Sequence, residues 1–263
     1  MPKLFVSDMD HTLLNDNSEL PKDFKETLDL LNSSDSGLVL ASGRTLFSIK
    51  NKVKDFNHEI NFISDNGAIV EYNGKIIYKS VFSQEDIEEI LVPIRKAKET
   101  SIIASSLTSA YVEVYNDDHK QKLYEYYLDY NIVDDISKVN DDIIKVTMLS
   151  LNNTVDNYKE FIEPALSSSY NAVTAGKIWI DVMHNNVDKG EGLKHLLEEM
   201  NIDRNDVVAF GDYHNDIGML ELAGIGYAVE NAHDDVKQIA DFVVEDNNSA
   251  PVTRVIKEYL TKQ

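Results

Sequence analysis

Residues 4–14 read Leu-Phe-Val-Ser-Asp-Met-Asp-His-Thr-Leu-Leu. Leu4, Phe5 and Val6 form a short apolar run, the pattern of a strand buried on both faces of a parallel sheet. The run stops at two carboxylates, Asp8 and Asp10, with Met9 between them and Thr12 just after. Ligands of open parallel sheets bind beyond the carboxyl ends of the strands, so both acids are delivered to the functional edge. Two anions this close repel each other unless a cation or a shared proton intervenes. Hard oxygen donors at such spacing suit Mg²⁺, which takes one or two carboxylates and leaves room for a substrate phosphate. The alternative reading is a strand followed by an acidic surface turn.

Outward from this stretch, Phe24, Leu28 and Leu31 recur at helical spacing, with Pro21 near the helix start and Gly37 ending the segment. Leu38-Val39-Leu40-Ala41 is a second buried run and completes a strand–helix–strand unit. It ends at Ser42-Gly43-Arg44, and Phe47, Ile49 and Val53 mark the next helix. A Ser-Gly pair between a buried strand and a helix offers a hydroxyl and free backbone N–H groups to an anion. Taken alone, it reads first as an ordinary helix N-cap. Phe62-Ile63-Ser64 is a third run, followed by Asp65-Asn66-Gly67; Ile69 to Tyr72 and Ile76 to Tyr78 then flank Asn73-Gly74 as a hairpin.

From Ser83 the alternation breaks. Ser83-Gln84-Glu85-Asp86 has the form of a capping box opening a helix with Ile87, Ile90 and Leu91 on one face, which Pro93 is expected to kink or divide. Ala110 to Tyr115 alternates as a half-buried strand. Tyr124, Tyr126, Tyr127 and Tyr130 mark a tyrosine-rich helix whose rings read as packing and surface. Ile144 to Leu151, a helix around Tyr158 to Leu166, and strands near Ala172 and over Ile178 to Met183 complete an α+β unit with an antiparallel sheet. At Asn185 the alternating pattern resumes. Asp188-Lys189-Gly190 precedes a helix with Leu193, Leu196, Leu197 and Met200, and Val207-Val208-Ala209-Phe210 ends at Gly211-Asp212-Tyr213-His214-Asn215-Asp216. A helix with Met219 and Leu220, strands over Ile225 to Val229 and Phe242 to Val244, and a last helix from about Val252 finish the chain.

The expected fold class is therefore α/β, a Rossmann-like parallel-sheet core formed by residues 1–80 and 187–263, with an inserted α+β domain over 81–186. A length of 263 residues accords with two domains at ~150 residues each. No apolar run approaches the ~18–20 residues that span a bilayer, and the chain enters a strand without a leader pattern. Cysteine is absent, which excludes disulfides, thiolate metal sites and a cysteine nucleophile. A cytoplasmic protein is the expectation. A formal charge of −21 argues against nucleic acid and anionic membranes as partners. It does not exclude a small anionic substrate, because screening over ~8 Å leaves local charges in a cleft in control.

The strand ends taken together resemble the haloacid dehalogenase (HAD) superfamily of phosphatases. Its four motifs are matched in order by Asp8-x-Asp10-x-Thr12, Ser42, Lys189 and Gly211-Asp212-x-x-Asn215-Asp216. The insertion after Asn66-Gly67 resembles a type IIB cap. Ala41-Ser42-Gly43-Arg44, Asp65-Asn66-Gly67-Ala68 and Gly211-Asp212-x-x-Asn215-Asp216-x-x-Met219-Leu220 are similar to the Cof-type sugar phosphatases. The resemblance implies Mg²⁺-dependent hydrolysis of a small phosphorylated metabolite through an aspartyl-phosphate. Asp8 is then the nucleophile and Asp10 the general acid and base. Asp8, the Asp10 carbonyl, Asp212 and Asp216 serve the metal. Ser42, Gly43, Lys189 and Asn215 hold phosphoryl oxygens, Thr12 shapes the loop, and the cap closes over the site and sets specificity.

Two departures stand out. The family usually has Gly after the second Asp, where this chain has His11, either a tolerated substitution or an imidazole that reaches substrate. Near the C-terminus Asn247-Asn248-Ser249-Ala250-Pro251 replaces a turn where the family often has Gly. A phosphomutase and a catalytically silent sugar-phosphate sensor are the alternatives on the same fold. A two-component receiver domain also gathers acids, a Ser/Thr and a Lys at strand ends, but it lacks so large an insertion.

Overall fold

The structure is a computed structural model that describes residues 2–126, 130–175 and 177–261. Tyr127 of the tyrosine-rich segment lies outside the described residues. The chain divides into two compact units, Met1–Lys79 with Val187–Gln263, and Ser80–Asn186.

The first part of the first unit runs β1 (Leu4–Asp8), α1 (Phe24–Asn32), β2 (Gly37–Ala41), α2 (Leu46–Val53), β3 (Ile60–Ser64), β4 (Ile69–Tyr72) and β5 (Lys75–Lys79). The second unit contains α3 (Gln84–Ile94), β6 (Ser101–Ser106), β7 (Ala110–Glu113), α4 (Asp117–Tyr126), β8 (Asn131–Ile132), β9 (Ile143–Leu149), α5 (Thr154–Asn157), β10 (Tyr170–Ala175) and β11 (Trp179–His184). The first unit then resumes with α6 (Lys189–Met200), β12 (Val207–Gly211), α7 (Ile217–Leu222), β13 (Ile225–Val229), α8 (Asp234–Ile239), β14 (Phe242–Val244) and α9 (Pro251–Thr261).

In the first unit β1 lies inside an eight-stranded sheet of order β14-β13-β12-β1-β2-β3-β4-β5. The sheet is parallel from β14 to β3, and β4 and β5 add antiparallel to one edge. Helices cover both faces, which is why its strands are apolar without alternation. Leu4 and Val6 join Val39, Ala41, Ile63 and the α6 residues Leu193 and Leu196 on one face. Phe5 joins Leu38, Leu40, Phe62 and the α9 residues Val252, Val255 and Ile256 on the other. Register pairs Asp8 with Ala41 and Ser7 with Phe210, so β1, β2 and β12 end together.

The second unit is a six-stranded sheet of order β10-β11-β9-β6-β7-β8, antiparallel except for the β7–β8 pair. Its apolar cluster includes Ile87, Ile90 and Leu91 of α3 with Ile102, Val146, Met148, Ile180 and Val182 of the sheet.

Three local expectations are corrected, and one strand goes unread in the sequence. Ser83 and Asp86 do form a capping box, but α3 runs through Pro93 to Ile94, because the proline falls in the last turn. Strand β6 escapes the sequence pattern: all of Ser101–Ser105 is buried, so Ser101, Ile102, Ile103, Ala104 and Ser105 show no alternation. The helix placed around Tyr158 to Leu166 begins earlier, at Thr154, and relaxes into a wider π-type turn over Tyr158–Ile162, closed by the Glu163 N–H on the Tyr158 carbonyl at 2.9 Å. Phe47 stands on the exposed side of α2, and the helix is capped by Thr45 rather than Ser42, with the Thr45 hydroxyl accepting from Ser48 N–H at 3.3 Å.

Two glycines with positive φ separate backbone need from packing need. Gly67 has φ +101°, and a Cβ there would lie 2.0 Å from the Asp188 carbonyl oxygen, so the chain entering α6 passes directly over it. Gly74 has φ +73° in the hairpin, with nothing within 4 Å of a Cβ. Gly74→Ala should therefore cost only the left-handed penalty, about 1–2 kcal/mol. Gly67→Ala should add overpacking to that, about 2–5 kcal/mol in total. Urea denaturation of the two variants measures the difference, and equal losses would contradict the close approach at Asp188.

Candidate active site

At the end of β1, Asp8 is buried, and its Oδ1 accepts from Lys189 Nζ at 2.5 Å. Lys189, at the first position of α6, has no solvent exposure and also donates to Asp216 Oδ1 at 2.6 Å. Its helix is capped by Asp188, whose Oδ1 accepts from Glu191 N–H at 2.9 Å. Asp216 closes the turn after β12: its Oδ2 accepts from the backbone N–H groups of Asp212 at 2.9 Å and Tyr213 at 3.1 Å. Thr12 is fully buried and donates to Asp212 Oδ1 at 3.0 Å, which ties the first acidic turn to the last.

Asp8, Asp212 and Asp216 each present a carboxylate oxygen, all within 4.8 Å of one another. Three carboxylates against the single Lys189 ammonium leave two formal negative charges. Asp8 Oδ2 is buried and without a hydrogen-bond partner among the described residues. Burial pushes the Asp8 carboxyl well above the ordinary range; Lys189 pulls it back, and Asp216 and Asp212 push it further up. Burial and the Asp216 charge raise Asp212 against the opposing pull of Thr12 and Lys189. Burial pushes the Lys189 ammonium down, but the Asp8 and Asp216 charges outweigh it, and Lys189 ends above the ordinary lysine range. An all-oxygen donor set with an unpartnered buried oxygen and two uncompensated charges fits a hard divalent cation.

The remaining site residues predicted from sequence lie around an open cleft of about 390 Å³, lined by Asp8, Asp10, Ser42, Gly43, Asp212 and Asn215 together with Arg44, His11 and Tyr213. Ser42 is buried and its Oγ accepts from the Arg44 N–H at 3.1 Å. The side chain of Asp10 stands apart from the acid cluster. Arg44 grips it with Nε to Oδ2 at 2.7 Å and Nη2 to Oδ1 at 2.6 Å, and that bond holds the guanidinium above its ordinary range. Asn215 is exposed, and its Nδ2 donates to Asn66 Oδ1 at 3.0 Å.

Arg44 and Asn66 were not anticipated as site residues. Asn66 has φ +56°, its N–H donates to the Ser42 carbonyl at 3.0 Å, and its amide reaches Asn215. The available signal was a left-handed turn at a buried strand end, since asparagine tolerates that conformation. His11 also has a positive φ, +60°, and is exposed at the cleft, while its carbonyl accepts from Asn231 Nδ2 at 2.8 Å.

The chain matches the haloacid dehalogenase-like hydrolase family over residues 5–256. It is 28% identical over 260 residues to the 5-amino-6-(5-phospho-D-ribitylamino)uracil phosphatase YbjI of Escherichia coli, covering 98% of this chain and 96% of that one. A Thermotoga maritima protein of known crystal structure is 29% identical, superimposes with a TM-score of 0.88, and is aligned over 98% of this chain and 97% of its own. The HAD subclass IIB sugar phosphatase BT4131, at 23% identity, shares the fold with a TM-score of 0.79 over 98% of each chain.

The charge balance of the acid cluster sets its response to metal and pH. Mg²⁺ at ~100 times its dissociation constant should add about 2.7 kcal/mol of stability. At ~2–4 °C per kcal/mol, that is a rise of several degrees in melting temperature. In metal-free buffer Asp8→Asn should melt higher than wild type. The raised folded-state pKa values of Asp8 and Asp212 give stability that is present at low pH and lost as pH climbs through them, so the gap should widen with pH. Differential scanning fluorimetry across pH, with chelator and with Mg²⁺, reads both effects.

Proposed function

The chain belongs to the haloacid dehalogenase-like hydrolases and is a phosphatase of that superfamily, and on that premise we propose that it hydrolyses small sugar or sugar-alcohol phosphates, with Mg²⁺, through an aspartyl-phosphate on Asp8. The observation that carries this reading is the Asp8 carboxylate itself, buried and lining the cleft with one oxygen held by Lys189 and the other unpartnered among the described residues. A nucleophile must be fixed and have a free lone pair, and this one satisfies both requirements.

Asp8, Asp212, Asp216 and the Asp10 carbonyl would hold the Mg²⁺, which when bound neutralises the carboxylates and offsets the charge of an incoming phosphate. An Asp8 oxygen attacks phosphorus as the bond from phosphorus to the leaving alkoxide breaks. Asp10 gives its proton to that alkoxide, then takes one from the water that attacks the phosphoryl-enzyme and frees Asp8. The Ser42 hydroxyl, the Gly43 N–H, Lys189 and Asn215 hold the phosphoryl oxygens. Arg44 donates to both Asp10 oxygens and so competes with a leaving group for each of them. The pair therefore opens during the cycle, and a substrate phosphate in the same cleft is an anion able to draw Arg44 away.

The Escherichia coli relative is named for a phosphorylated ribityl chain, a sugar-alcohol phosphate. That supports testing such compounds beside hexose and pentose phosphates. Selection among them is assigned to the inserted unit Ser80–Asn186. The setting is cytoplasmic in this reading, in keeping with a cysteine-free chain.

Leaving-group dependence separates the two acids. Asp8→Asn should lose turnover on every phosphomonoester. General acid catalysis is typically worth ~10²–10⁴-fold, and a nitrophenolate needs little of it. Asp10→Asn mixed with p-nitrophenyl phosphate and Mg²⁺ should give a burst near one equivalent of nitrophenolate followed by slow turnover, and chelation should abolish it. Stopped-flow absorbance reads the burst. Its absence in Asp10→Asn, as in Asp8→Asn, would contradict the acid–base role of Asp10.

A further inference from the structure

A second cluster of metal-ligating side chains lies on the surface beside the acidic loop and plays no part in the proposed reaction. His214 follows Tyr213 in the turn after β12, and His233 and Asp235 stand at the start of α8. His214 Nε2 lies 3.0 Å from Asp235 Oδ2, and His233 Nδ1 lies 3.4 Å from the same oxygen. The two imidazole centroids are 4.3 Å apart, and one ligand atom from each of the three residues falls within 4.8 Å of the others. His233 Nδ1 accepts from the Asp235 N–H at 3.2 Å, a bond its single lone pair must give up to ligate an ion through that nitrogen. The Tyr213 ring packs edge-on against both imidazoles, at 4.8 Å and 6.0 Å, and walls the cluster on one side.

We propose that His214, His233 and Asp235 form a second metal site that binds a borderline divalent ion of the Zn²⁺ class. With Zn–N bonds of ~2.0–2.1 Å, ligand atoms of a tetrahedral site stand about 3.4 Å apart. Two of the three separations are already at or below that value, and closing the third requires the exposed imidazoles to exchange their bonds to Asp235 for the ion. The donor set separates the two sites by chemistry. Two imidazoles and one carboxylate favour Zn²⁺, Ni²⁺ or Cu²⁺, whereas the all-oxygen cluster of Asp8, Asp212 and Asp216 favours Mg²⁺. The position is also specific. His214 sits between Asp212 and Asp216, and the His233 N–H donates to the Asp212 carbonyl at 2.9 Å. An ion bound here ties the acidic loop to the start of α8 through side chains as well as through that backbone bond.

The test titrates Zn²⁺ into the full chain in excess Mg²⁺, with a chromophoric chelator as competitor, so that the oxygen cluster is already filled. Wild type should take up one equivalent of Zn²⁺. Its affinity should fall by at least ~10-fold in His214→Ala and in His233→Ala, and also in Asp235→Ala. All three side chains are exposed, and each variant should keep the Mg²⁺-dependent rise in melting temperature, which shows the fold and the oxygen cluster intact. No Zn²⁺ uptake by wild type would overturn the proposal. Uptake unchanged in His233→Ala and Asp235→Ala would overturn it too, by placing the ion elsewhere.

Discussion

A lysine ammonium with no solvent exposure, clamped between Asp8 and Asp216, is the constraint on which the rest of this molecule depends. Burying one charge costs several kcal/mol even after relaxation, on the order of what a whole domain has to spare. Lys189 is tolerated there because carboxylate charge meets it within hydrogen-bond distance. Those carboxylates come from the first strand and from the turn after β12, and the lysine opens α6, so three distant parts of the chain must converge to a few tenths of an ångström. The parallel register of β1 with β2 and β12 brings the strand ends into line. Gly67, passed closely by the Asp188 carbonyl, lets α6 begin where the ammonium is needed.

The clamp does not balance its own charge. One ammonium faces Asp8, Asp212 and Asp216; burial, and then the neighbouring carboxylates, raise the first two carboxyls, and Asp8 Oδ2 has no partner among the described residues. A protein selected for stability alone would replace one of these acids with an amide. Keeping all of them together beside a cleft makes sense if a cation and a phosphate complete the electrostatics, a common arrangement at sites where function is held at some cost to stability. The Asp10–Arg44 pair beside the cluster is balanced by itself and lines the same cleft.

Much of this was legible in the sequence, for a physical reason. Strands buried on both faces must be wholly apolar, so Leu4–Val6, Leu38–Ala41 and Val207–Phe210 announce themselves, and the polar residues that stop them are forced to one sheet edge. The same rule hid β6, where buried serines interrupt a strand that has no polar face to alternate with. Arg44 was visible as a residue but not as a partner of Asp10. Only the pairing of Asp8 with Ala41 shows that the segments after β1 and β2 emerge side by side. The meeting of His214 with His233 and Asp235 is likewise invisible to spacing, because it depends on the loop after β12 folding back onto the start of α8.

The claim at the centre of this account is that Asp8 carries the phosphoryl group. Acid-quenching Asp10→Asn during turnover of p-nitrophenyl phosphate, followed by peptide mass spectrometry, tests it most directly. The account predicts one phosphoryl adduct on the peptide containing Asp8, localised to that residue and absent when Asp8 is changed to Asn. Phosphate released with no adduct on Asp8 at any time, or an adduct on another residue, would contradict it.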